Sequence, residues 1–180
     1  NLSLPYLEET LEEIKTREAD AKCPFRARVA IVGSEIDDPE LTRLIEDAGA
    51  LVVADRYCFG STPGREIIEL NDDEDVLTQI CLHVMKHSEC ARYIADEKVQ
   101  QRRTTADALA REFNAEGIIY EQMKYCDYWG FERALVSHIM HDEYGWPVLS
   151  IDRLYNNKGS GQLRTRVQAF VESLEIKRIH

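Results

Sequence analysis

Residues 28–55 read RVAIVGSEIDDPELTRLIEDAGALVVAD, and their pattern decides the fold. Arg28 to Gly33 is a short β-branched run closed by glycine, the signature of a buried strand. Asp38 offers an N-cap, Pro39 suits the first helical position and Glu40 puts acid in the first turn. Leu41, Leu44, Ile45 and Ala48 then line one helical face, and Gly49 ends the helix. Ala50 to Asp55 is apolar again, a second strand. Strand, helix and strand in this order form a right-handed crossover between parallel neighbours.

The same alternation continues along the chain. A Gly/Pro loop runs from Cys58 to Gly64. Helical spacing marks residues 74–87 and 96–113, a strand covers 117–122, and a helix over 131–144 stops at Gly145. A fourth strand follows over 147–151, then the loop 156–161 and a last helix over 162–174. Residues 3–17 repeat Leu4, Leu7, Leu11 and Ile14 at helical spacing. The expected fold is α/β: a doubly wound parallel four-stranded sheet in a flavodoxin/Rossmann-like three-layer sandwich. Residues 1–24 read as an N-terminal helix and linker, and residues 25–180 as the α/β domain. Ligands of such sheets sit beyond the carboxyl ends of the strands. Here that rim comprises loops 33–37, 56–64, 123–130 and 153–161.

Composition narrows the function. Apolar residues make up 44% of the 180, enough for a core and too many for a disordered chain. No run of about 18 apolar residues spans a membrane. A formal charge of −11 and a pI near 4.9 argue against nucleic acid and anionic membrane surfaces as partners. The acidic, amphipathic N-terminus is no signal peptide. The chain has five cysteines, an odd number without small-secreted-domain spacing. They read as reduced thiols or metal ligands of a cytoplasmic protein. The absence of an initiator Met predicts a piece of a longer product.

Among the cysteines, Cys58 follows the second strand and Cys126 the third, so both fall on the rim. Position alone leaves each open between a small apolar plug and a functional thiol. Cys23 lies at the opposite edge. Cys81 belongs to the stripe Leu77, Ile80, Cys81 and Val84 and reads as core, and Cys90, just past a helix end, as packing. No CxxC pair exists, which argues against a self-contained zinc or four-cysteine site. A nucleophilic cysteine needs a partnered histidine, and His138 and His141 lie well down the following helix, away from the rim. Ser160, Gly161 and Gln162 open the last helix at the rim, where free backbone N–H groups suit an anion, a phosphate or a cluster sulfide. Arg164 and Arg166, in the first turns of that helix, oppose its dipole and point to an acidic partner or substrate. Tyr120, Tyr125, Tyr128, Trp129 and Phe131 surround Cys126 and read mostly as core.

These motifs occur in a telling order. They are AlaAspArgTyrCys at 54–58, the lone Cys90, GluGlyIleIleTyr…LysTyrCysAspTyrTrpGly at 116–130 and GlyGlnLeuArgThrArgValGlnAlaPhe at 161–170. The chain resembles cluster-bearing subunits of the 2-hydroxyacyl-CoA dehydratase / benzoyl-CoA reductase family over residues 25–175, the C-terminal half of such a subunit. The resemblance implies an iron–sulfur cluster, usually [4Fe–4S], held by three cysteines. One belongs to the motif that contains Cys126, and two lie in the N-terminal half, with no counterpart here. Cys58 matches a recurrent family cysteine and is a second candidate ligand. Residues 25–180 then become the cluster-binding domain of a larger subunit, inactive as this piece alone.

What the resemblance further implies is low-potential one-electron chemistry. A separate ATP-hydrolysing iron–sulfur activator passes an electron to a heterodimer of homologous subunits. The electron reaches an acyl-CoA thioester and forms a ketyl-type radical or reduces an aromatic ring. The wording TrpGlyPheGluArgAla at 129–134 leans to the benzoyl-CoA reductase side. Catalytic residues are not identified. Two other readings stand beside this one: a double-cubane-cluster type of electron-transfer reductase acting on small molecules, and a non-catalytic interface domain.

Overall fold

The computed structural model describes residues 3–18, 24–57, 60–62, 65–155 and 161–179. Cys23, Cys58 and Ser160 therefore lie outside the described residues. Four strands form one sheet: β1 (Ala27–Gly33), β2 (Ala50–Arg56), β3 (Gly117–Met123) and β4 (Val148–Arg153). Their order is β2-β1-β3-β4, and every pairing is parallel. This is the expected doubly wound sheet in flavodoxin-like order.

Strand alternation splits the core into two layers. Val29, Ile31, Ile119 and Ile151 face one side, where they pack with Leu41 and Ile45 of α2 (Glu40–Asp47). Leu163, Val167, Phe170, Val171 and Leu174 of α6 (Gly161–Ile179) complete that layer. Ala30, Val32, Ile118 and Tyr120 face the other side. There they meet Ala106 and Ala110 of α4 (Asp96–Glu112) and Val136 and Met140 of α5 (Asp127–Asp142). The helix starts one residue later than expected: Pro39 is the N-cap of α2, and Asp38, one position before it, accepts from the Glu40 N–H at 2.9 Å. Gly49 ends α2 with φ +97°, a conformation side chains resist.

Two further helices, α1 (Ser3–Thr16) and α3 (Val76–His87), depart from expectation. The stripe of Leu77, Ile80, Cys81 and Val84 is not core: all four are exposed, and no described element covers them. The apolar stripe of α1 is exposed as well. Periodicity predicts that a helix has an apolar face, but not that the covering surface lies in the same piece of chain. The aromatic cluster is also corrected. Only Tyr120 is core, whereas Tyr125, Tyr128 and Phe131 are exposed and Trp129 is half-buried. No helix among the described residues is long and apolar enough to cross a membrane.

Candidate functional site

The helix after β3 begins at Asp127, four residues earlier than its spacing suggests, and Cys126 is its N-cap. The reason is a tight turn. The Cys126 N–H donates to the Met123 carbonyl at 3.1 Å, closing a β-turn over residues 123–126. Tyr125, the third residue of that turn, has φ +72°, a position that favours glycine. Its ring does not explain this, being 89% exposed. Strand thus passes straight to helix, with Cys126 half-buried at the junction.

The junction borders the topological switch point. β1 leads to α2 on one face and β3 leads to α5 on the other, so a crevice opens beyond their carboxyl ends. At its floor Glu121 is 0% exposed and lies 2.9 Å from Arg153 Nε. Ser34 Oγ donates to Glu121 Oε2 at 2.7 Å and accepts from the Met123 N–H at 2.6 Å. Burial pushes the Glu121 carboxyl up to about 7, against the opposing pull of Ser34 and Arg153. Arg153 also donates to the carbonyls of Leu154, Tyr155 and Glu35 at 3.3–3.4 Å. Gly33 is required here because strands crowd: a Cβ on it would stand 2.1 Å from the Glu121 carbonyl oxygen.

A second buried polar group lies under α4 and α5. Arg102 Nη2 donates to Glu132 Oε2 at 2.7 Å, with both side chains almost wholly buried. Arg56, at the end of β2, pairs with Glu89 and donates to the Arg102 carbonyl at 3.2 Å. Burial, reinforced by the neighbouring Arg102 charge, lowers the Arg56 guanidinium to about 10. Tyr120, in the same layer, is pushed up by its burial.

Beside the turn, a cleft of about 450 Å³ opens between the ends of β3 and β4 and the start of α6. Lys124, Arg153, Gln162 and Arg166 line it, with Asp152 the one acid among the described residues there. Lys124 Nζ lies 3.6 Å from Asp152 Oδ2, and Arg166 donates to the Ser150 carbonyl. In a chain of net charge −11 such a group of cations stands out. It suits a phosphate-bearing ligand, since guanidinium groups grip phosphate in bidentate fashion.

The structure therefore brings Cys126, Gly161 and Gln162 to one rim and leaves Cys81 on a remote exposed helix. None of the described histidines is hydrogen-bonded to Cys126. His138 and His141 sit on exposed positions of α5, His141 beside Asp142, and His83 stacks on His87. No Cys–His dyad forms among them. Among the described residues, no group of three or more His, Cys, Asp or Glu side chains is placed to hold a metal ion. Cys126 is thus the described cysteine at this rim, and the described residues do not form a metal site by themselves. Sequence reasoning missed Ser34, Glu121, Lys124 and Arg153. Alternation alone pointed to two of them: Glu121 shares the inward face of Ile119, and Arg153 that of Ile151.

A family model described as 2-hydroxyglutaryl-CoA dehydratase, D-component, matches residues 3–174. The chain is 28% identical over 166 residues to the (R)-phenyllactyl-CoA dehydratase beta subunit of Clostridium sporogenes, covering 91% of this chain and 42% of that one. It is 25% identical over 152 residues to YjiM of Escherichia coli (strain K12), provisionally named a dehydratase subunit, covering 83% and 38%. The chain spans about two fifths of the length of these curated relatives.

Proposed function

The chain belongs to the 2-hydroxyglutaryl-CoA dehydratase D-component family, and on that premise we propose that it is the C-terminal cluster-binding part of a 2-hydroxyacyl-CoA dehydratase subunit. The observation that carries this reading is the place of Cys126, half-buried on a tight turn at the carboxyl end of a central parallel strand. Cys126 supplies one thiolate to an iron–sulfur cluster. The other ligands come from Cys58 or from sequence beyond this chain. Such a cluster, usually [4Fe–4S], supplies low-potential one-electron chemistry.

The chain's own residues do the rest. Lys124, Arg166 and Gln162 hold the phosphate end of the CoA thioester in the cationic cleft, next to Gly161 at the start of α6; Ser160 precedes them in sequence. Residues 25–180 form the domain that does this, and residues 1–24 join it to the remainder of the subunit. The names of both relatives, one of them provisional, favour dehydration over aromatic ring reduction. A homologous second subunit and an ATP-dependent iron–sulfur activator are the proposed partners, in the cytoplasm.

The test is analytical. Full-length protein purified without oxygen carries iron and labile sulfide, and shows a reduced-cluster EPR signal. Cys126→Ser lowers both iron and signal and abolishes turnover of a 2-hydroxyacyl-CoA. A Cys126→Ser protein with full iron and full activity overturns the reading. A second reading, an interface domain without chemistry, draws on the exposed apolar stripes of α1 and α3. It predicts an iron-free protein that still assembles with its partner.

A further inference from the structure

Glu121 is the most deeply buried carboxylate described, and nothing in the reading above uses it. Burying an ionisable pair is expensive, and such pairs persist best where they fix a geometry. Glu121 and Arg153 sit side by side at the switch point, 2.9 Å apart. Each reaches the Cys126 turn by one further step. From Glu121 the step is Ser34, whose Oγ donates to the carboxylate and accepts the Met123 N–H at the start of the turn. From Arg153 it is the backbone: the Lys124 N–H donates to the Arg153 carbonyl at 2.7 Å.

The far end of the turn is held separately. Gln122 Nε2 donates to the Cys126 carbonyl at 3.2 Å, while Gln122 Oε1 accepts from Arg133 Nε at 2.7 Å. Arg133 is anchored in turn on Ser150 Oγ at 3.1 Å. Between these anchors Tyr125 is kept in the left-handed region. A solvent-exposed tyrosine gains nothing by adopting that conformation, so its surroundings impose it.

We infer that Ser34 and Gln122, backed by Glu121, Arg153 and Arg133, are positioning residues that hold the 123–126 turn and so fix the backbone from which Cys126 acts. Three hydrogen bonds reach the turn, from Ser34 just past β1, from Arg153 of β4 and from Gln122 of β3, and Arg133 of α5 supports Gln122. A strained turn clamped from three neighbouring elements presents its cysteine in one place, as a preorganised ligand must be presented. The role rests on the proposed use of Cys126, but its physical content does not require a cluster.

The test uses full-length protein stripped of iron with chelator. Hydrogen exchange of the residue 123–126 amides and the rate of Cys126 alkylation by iodoacetamide are measured, with exposed Cys81 as internal reference. Ser34→Ala removes the link at Met123, and Gln122→Met removes the link at Cys126 with little change of volume. The second variant serves if the first fails to fold. Loss of one hydrogen bond raises local opening roughly five- to tenfold. Cys126 alkylation and turn exchange should rise by that factor while Cys81 stays constant, and Ser34→Thr should restore the slow rate. If Cys126 and Cys81 change equally, or neither changes, the positioning role is overturned. Failure of the cluster reading shows instead as absence of iron from the wild type, so the two outcomes are distinct.

Discussion

Replacing Glu121 by glutamine tests whether its burial controls how stability depends on pH. The carboxyl titrates at about 7 in the folded protein and near 4.5 when exposed. A raised carboxylate value means that the fold prefers the neutral form. Its contribution is complete below pH 4.5 and disappears as pH rises through 7. Across that window the wild type loses roughly 3 kcal/mol from this group alone, at about 1.4 kcal/mol per pH unit. Glu121→Gln keeps the shape and does not titrate, so the variant stays neutral opposite Arg153 at both pH values, whereas wild-type Glu121 is neutral at pH 5 and charged at pH 8. Urea unfolding of both proteins at pH 5 and pH 8 isolates the effect, because all other groups cancel in the difference. Between pH 5 and pH 8 about 2.5 kcal/mol of this is read, so relative to the variant the wild-type midpoint should fall by about 1.2 M for a slope near 2 kcal/mol/M. A difference that stays constant from pH 5 to pH 8 refutes the reasoning.

Three more substitutions probe the frame around the site. Arg102→Met strands the buried Glu132 carboxylate; urea unfolding at pH 8 should show a loss of about 3–5 kcal/mol, and a loss below about 1 kcal/mol contradicts the pairing. Gly33→Ala forces a Cβ to 2.1 Å from a backbone oxygen that cannot yield. It should cost about 3 kcal/mol or more, a thermal midpoint lower by about 6–12 °C; an unchanged midpoint contradicts the crowding at the switch point. Tyr125→Gly relieves a left-handed residue worth about 1–2 kcal/mol against a glycine entropy cost of about 0.5–1 kcal/mol. The variant should unfold at equal or slightly higher urea, whereas a clear loss of stability shows that Tyr125 makes contacts the structure lacks.

The sheet was legible because its signals are local. The β-branched run ending at Gly33, the Asp38-Pro39 start and the Gly49 stop each act within a few residues, and the alternation then dictates parallel order. The start of α5 was not legible, because the turn before it uses Tyr125 where glycine is the usual marker. The apolar stripe through Cys81 was read correctly as a face and wrongly as core, since burial depends on a surface that no residue of the stripe encodes. Ser34, Glu121 and Arg153 escaped notice for a different reason. Their partners lie 87 and 32 residues apart in sequence (34 to 121, 121 to 153), and only the folded sheet brings them together. Cys126 could be placed on the rim from the sequence, but its proposed role as ligand came from resemblance, not from spacing.

The central proposal, that Cys126 holds a cluster, meets its most direct test in thiol protection. Full-length protein purified without oxygen is alkylated as isolated and again after iron removal, and each cysteine is quantified by mass spectrometry. Cys126 should be protected in the iron-loaded protein and reactive after chelation, while exposed Cys81 reacts in both. Equal labelling of Cys126 with and without iron would contradict the account.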